Sequence, residues 1–141
     1  MATPTPEEFQ SEIYENVFIT IIEAKELMEI EKGFKGEPVR QKKKNLSKSK
    51  DSFVVVTLEN NVKKTKICSE TYNPQWNEQF SFFPDQKSSK IKIEVFDIDE
   101  ILNEKTMIGE CTINTDEELF EGWIKLENTK RGSIKVRIKT R

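Results

Sequence analysis

The sequence predicts an all-β protein, an eight-stranded antiparallel β-sandwich with Greek-key connections. Three observations lead there. Short runs alternate apolar and polar residues at period two, as in Ser133-Ile134-Lys135-Val136-Arg137-Ile138-Lys139. Turn-forming pairs separate the runs: Asn60-Asn61, Asn73-Pro74 and Pro84-Asp85. No stretch sustains the 3.6-residue period of an amphipathic helix. With 141 residues the chain suffices for one domain around one core.

The elements follow in order. Residues 1–12 are rich in Pro, Thr and Glu and read as a flexible tail, leaving 13–141 as the domain. Val17 to Ile22 is the first strand, with Val17, Ile19 and Ile21 on one face. From about Glu29 to Lys50 there is no period, and a basic insertion at about 34–50 makes a long connection. Phe53 to Leu58 is β-branched enough for a strand buried on nearly both sides. Val62 to Cys68 alternates as a basic strand. Trp76 and Phe80-Ser81-Phe82-Phe83 supply an aromatic strand, with Trp76, Phe80, Phe82, Phe96 and Trp123 expected in the core. Residues 90–96 form the next strand. Met107 to Ile113 follows, with Met107, Cys111 and Ile113 on one face. Thr115 to Phe120 has the pattern of a capped helical turn. Trp123 to Leu126 and Ser133 to Lys139 complete the set.

Composition removes several functions. The chain has no histidine, so the commonest general base and metal nitrogen ligand are missing. No nucleophile–base pair, Gly-rich phosphate loop or metalloprotease motif is present, so an enzyme is not expected. The two cysteines, Cys68 and Cys111, make neither a zinc site nor a disulfide framework, which fits a reducing cytosol. No apolar run approaches a membrane span, and the first residues lack the pattern of a signal peptide. Net charge is −2 but unevenly placed. Residues 32–66 hold three acids and eleven bases, and residues 67–121 hold thirteen acids and four bases. Such blocks suit both a cation and an anionic surface, or they balance across neighbouring strands.

The stretch Ile91-Lys92-Ile93-Glu94-Val95-Phe96-Asp97-Ile98-Asp99 is a strand that ends in acid. In extended backbone the Cα atoms of Asp97 and Asp99 lie roughly 6.5–7 Å apart. Two readings stand level: a strand running into solvent, where Asp is common, or an oxygen-rich site suited to Ca²⁺.

Three segments in order resemble the C2 domain, over about residues 16–140. They are Val17–Leu27 with its Ala24-x-x-Leu27 ending, Lys64-Thr65-Lys66 with Asn73-Pro74-Gln75-Trp76-Asn77-Glu78-Gln79-Phe80, and Val95-Phe96-Asp97-Ile98-Asp99 with Met107-Ile108-Gly109. Trp123 and Gly132-x-Ile134 fit the last two strands. Opening on the Ala-x-x-Leu strand points to the permuted, type II arrangement. The resemblance implies Ca²⁺ ligands at Glu31, Asp51, Asp97 and Asp99. The fifth ligand position falls on Lys105 or Thr106, so the implied site is incomplete, and each missing carboxylate weakens a hard-cation site. Lys64 and Lys66 match the Lys-x-Lys of the family's phosphoinositide site, although Val55 replaces a lysine beside it.

The insertion adds Lys42, Lys43 and Lys44 among other bases. It reads either as a solvated loop or as attraction to anionic lipid. Without aromatic residues between the lysines, nucleic acid is not expected. Phe34, Ile101 and Leu102 are apolar residues in or beside the acidic loops, placed to enter a headgroup layer or to pack over a strand. The expected function is a peripheral, cytoplasmic membrane-binding module for anionic phospholipid, assisted by Ca²⁺. The alternative is a Ca²⁺-independent C2-like domain that binds a protein partner or a phosphoinositide through its basic strand.

Overall fold

A computed structural model gives the structure, and it describes residues 16–27, 51–85, 89–115, 119–129 and 131–140. The tail at 1–12, the insertion at 34–50, and Glu31, Lys42, Lys43 and Lys44 lie outside the described residues.

Eight strands form in chain order: β1 (Val17–Lys25), β2 (Ser52–Leu58), β3 (Asn61–Lys64), β4 (Gln75–Phe82), β5 (Lys90–Asp99), β6 (Glu104–Asn114), β7 (Leu119–Lys125) and β8 (Ser133–Thr140). They make two four-stranded sheets, β4-β1-β8-β7 and β3-β2-β5-β6. Every pairing is antiparallel. The alternation seen in the sequence fills the space between the sheets. Val17, Ile19, Ile21, Val136 and Ile138 meet Val54, Val56, Leu58, Ile91, Ile93 and Val95, all buried. Burying each such side chain contributes about 1.5–3 kcal/mol. Trp76 bridges the sheets, its Nε1–H donating to Ser52 O at 3.3 Å.

Two bulges reset the alternation. In β1 the register shifts between Ile21 and Glu23, so Ala24 rather than Glu23 reaches the core. Between β5 and β6, Val95 pairs with Gly109 and Phe96 with Met107. The extra residue, Ile108, is buried in the core. Cys111 and Ile113 therefore face inward as expected, but Met107 does not share their face; it pairs with Phe96 on the outside of the sheet. Phe96 is itself buried there by Phe53, ring against ring with centroids 5.5 Å apart, outside the main core cluster.

Three further expectations are corrected. The basic strand stops at Lys64 rather than running to Cys68. Thr65 replaces the strand ladder there: its N–H donates to Val54 O, and its Oγ1 accepts from the Val54 N–H. Leu119 and Phe120 begin β7 rather than ending a helical turn, whose residues 116–118 lie outside the described set. Trp123 lies on the outward phase of β7 and is 40% exposed.

Hydrogen bonds define the two ends of the sandwich. Leu27 N–H donates to Tyr72 O, Glu70 N–H to Asp51 Oδ1, and Ile98 N–H to Asp51 O. The end of β1, the β3–β4 loop, the start of β2 and the end of β5 thus share one pole. At the other pole Val17 pairs with Thr140. The β1–β8 pairing joins the Ala-x-x-Leu strand to the Gly-x-Ile strand, as the type II arrangement requires.

Candidate functional site

Asp51, Asp97 and Asp99 stand at the first pole on neighbouring stretches of backbone. Asp51 stands immediately before β2, and Ser52 pairs with Asp97. The Ile98 N–H donates to Asp51 O at 2.8 Å, which holds the Asp51 backbone against the strand residue between the other two acids. Asp97 and Asp99 are strand residues, because β5 continues through them to pair with the start of β6. That pairing makes the connecting turn short, Glu100 to Asn103, and Asn103 takes a left-handed φ of 54°.

Each loop is fixed by its own acid. Asp51 Oδ1 accepts from the Glu70 N–H at 2.8 Å and ties the β3–β4 loop to β2. Asp99 Oδ1 accepts from the Ile101 and Leu102 N–H groups at 3.0 and 3.1 Å, an Asx-type turn that shapes the β5–β6 tip. At that tip Ile101 is 95% and Leu102 63% exposed. The two apolar side chains project beside the acids, away from the core.

The sequence places Lys105 and Thr106 in this loop, at the fifth ligand position; both are instead in β6. Lys105 pairs with Ile98, and Thr106 with Asp97. The Lys105 ammonium lies over the Phe96 ring, 4.6 Å from its centroid, on the outer face. Phe53, Phe96 and Lys105 make a stack that sequence reasoning misses. A signal for it exists: Phe53 and Phe96 both sit on the outward phase of adjacent strands.

Calcium, the metal that this type of site implies, is matched in donor type, since every acid offers only oxygen. The bonds described for Asp51 and Asp99 engage Oδ1 of each carboxylate. Among the described residues, no three Asp, Glu, Cys or His side chains gather closely enough to hold a metal by themselves. Glu31 lies outside the described residues. The fit is thus one of chemistry with a short donor count.

The lysines of β3 and its continuation separate. Lys63 turns toward the sandwich edge, where its Nζ donates to Ser81 O at 2.5 Å and lies over the Phe82 ring. Lys64 stays exposed on the outer face. Its strand row runs through Val55, Glu94 and Glu110, so two carboxylates share the row with it. Lys66 lies past the strand, exposed, with its N–H donating to Glu78 Oε2.

A profile of the C2 domain family matches residues 15–129. The protein is a β-sandwich of that class: the chain belongs to the C2 domain family. It is 31% identical over 96 residues to synaptotagmin-4 of Arabidopsis thaliana, which covers 63% of this chain and 16% of that protein. It is 28% identical over 101 residues to extended synaptotagmin-2-A of Xenopus laevis, covering 67% of this chain and 11% of that protein. The chain thus spans less than a fifth of either relative's length. Its fold matches the calcium-bound C2A and C2B domains of extended synaptotagmin 2 with a TM-score of 0.72 at 20% identity, covering 91% of this chain and 46% of that one. The C2A domain of plant extended synaptotagmin 1 matches with a TM-score of 0.69 at 19% identity, covering 92% of this chain and 95% of that one.

Proposed function

We propose that this domain is a peripheral membrane-binding module that docks on anionic phospholipid through the pole carrying Asp51, Asp97 and Asp99. The observation that carries the reading is the β5–β6 tip. Ile101 and Leu102 stand in solvent directly beside the acids, on a turn that Asp99 holds in shape. Two exposed apolar side chains on a tight turn are matched to the headgroup boundary of a bilayer. The acids beside them would repel an anionic surface unless a cation intervened. Ca²⁺, bound by Asp51, Asp97, Asp99 and Glu31, would supply that positive charge, with lipid phosphate oxygens making up the donor count. The calcium bound to the C2A and C2B domains of extended synaptotagmin 2 supports this choice of cation. Lys42, Lys43 and Lys44 are proposed to add long-range attraction, and Lys64 and Lys66 a weaker contribution. A peripheral, cytoplasmic placement and a non-catalytic role belong to the same proposal; among the described residues no helix is long and apolar enough to cross a membrane.

One observation favours a second, Ca²⁺-independent reading. Asp51 and Asp99 already bond the loop backbone, so the loops keep their shape through their own hydrogen bonds. Such a domain would bind a phosphoinositide or a protein partner through its lysines. Co-sedimentation with phosphatidylserine vesicles, run in parallel with Ca²⁺ and with a chelator, separates the two. Binding only with Ca²⁺ supports the first reading. Equal binding in both moves the function to the lysines, and binding in neither removes the membrane from the function.

A further inference from the structure

The outer face of β7 and β8 lies on the opposite sheet from the basic strand. Along β8, Lys135, Arg137 and Lys139 project outward at alternate positions, while Ile134, Val136 and Ile138 fill the core. The strand repeat spaces these cations by roughly 6.5–7 Å. Across the ladder, Lys139 pairs with Leu119, Arg137 with Glu121 and Lys135 with Trp123. Leu119 is 64% and Trp123 40% exposed, so apolar surface alternates with positive charge. Lys25 Nζ adds a further cation 4.3 Å above the Trp123 ring. The opposing charge from β7 is Glu121, whose carboxylate is taken by Arg137 Nε–H at 2.5 Å. From β1, Glu23 pairs with Lys135. The four cations Lys25, Lys135, Arg137 and Lys139 thus face two acids, and Lys139, set between Leu119 and Phe18, carries the least opposed charge.

We propose that this face docks an extended acidic segment of a partner protein, with Trp123 and Leu119 as its apolar contacts and Lys135 and Lys139 pairing its carboxylates. Charge complementarity selects an acidic partner, and an exposed Trp within a cationic surface is the composition of a protein-binding hot spot. The bilayer is the less suited anion. Lys139 lies six residues along β8 from Ser133, which pairs with Lys25 near the acidic pole. That separation is roughly 20 Å, well beyond a Debye length of about 8 Å at physiological salt. The half of the face built by Lys139 and Leu119 is therefore out of reach of a surface at that pole, while Lys135 and Trp123 stand about 7 Å from it. This last step rests on the membrane orientation proposed above; the charge and exposure of the face do not.

The test uses the full chain and a fluorescein-labelled peptide of four Asp-Glu-Leu repeats, read by fluorescence anisotropy, with vesicle co-sedimentation on the same proteins. Three variants are compared: Lys135→Glu with Lys139→Glu, Trp123→Ala, and Lys64→Glu with Lys66→Glu. All five positions are exposed or on an outer face, so the core is untouched. The expected result is saturable binding by the parent protein. The Lys135/Lys139 reversal raises Kd about tenfold or more, Trp123→Ala weakens binding several-fold, and the Lys64/Lys66 reversal leaves it unchanged. Vesicle binding by the Lys135/Lys139 variant stays at the parent level. Failure of the parent protein to bind the peptide, or indifference to the Lys135/Lys139 reversal, overturns the proposal. Parallel loss of vesicle and peptide binding in that variant also overturns it and gives the face to the membrane. A parent protein that binds peptide but no vesicles sinks the membrane reading and leaves this surface standing.

Discussion

Ser52 is fully buried, and its hydroxyl has no hydrogen-bond partner among the described residues. Its backbone is well used: Ser52 N–H donates to Cys68 O, and Ser52 O accepts from the Cys68 N–H and the Trp76 indole. The side chain alone carries an unmet desolvation cost, so Ser52→Ala is expected to stabilise the fold by about 1 kcal/mol, seen as a higher urea midpoint at unchanged m-value. A lower midpoint would refute that assignment. Cys111 gives a second prediction at this scale. Burial, then the charges of Glu127 and Glu110, push its thiol up from 9.0 to about 12. The folded value is raised above the unfolded one, so the contribution to stability is intact below pH 9. It is lost as pH climbs toward 12, because only the unfolded thiol can ionise. Cys111→Ala should flatten the fall in stability over pH 9–12, and iodoacetamide should label half-buried Cys68 well before Cys111 in the native protein. The two tryptophans mark the limit of reading single residues. Both look like core in the sequence, yet Trp76 falls on the inward phase of β4 and Trp123 on the outward phase of β7. Composition does not carry phase; only the register of the neighbouring strand does.

Among the elements, the β5–β6 hairpin departs most from expectation. Hydrophobic alternation locates both strands but ends β5 at Phe96 and starts β6 at Met107. Both run on through Asp97–Asp99 and Glu104–Thr106, where Ile98 is the one apolar residue and the polar pairs around it give a hydropathy pattern nothing to register. The displaced residue of the bulge, Ile108, cannot be told from its neighbours for the same reason. The consequence is a stiff hairpin with its apolar residues at the apex rather than a loose acidic loop. Replacing Ile101 and Leu102 with Ser is expected to leave the thermal midpoint within about 2 °C, since neither side chain is buried. The same change should weaken binding to phosphatidylserine vesicles about tenfold. Unaltered vesicle binding would remove the tip from the docking mechanism.

Across the whole molecule, the sandwich, its strand number and its permuted order were legible because periodicity and three motif segments agreed. The distribution of charge was legible only in part. The basic block around Lys64 and the acidic block around Glu94 and Glu110 are neighbours in one sheet row, so much of the apparent polarity cancels there. The bases of the last strand meet fewer acids and leave a positive face. The pairing of Val17 with Thr140 bears on a different property, resistance to force. β1 and β8 lie side by side, and residues 17 and 140 are at the same end of their shared ladder. Tension drawn through those two residues loads the hydrogen bonds one after another, like a zipper, rather than all at once in shear. Pulled by optical tweezers at residues 17 and 140, the domain should yield at a markedly lower force than when pulled at residues 17 and 133, which lie at opposite ends of the same ladder. Used as a tether, it would behave as a mechanical fuse that opens before what it connects.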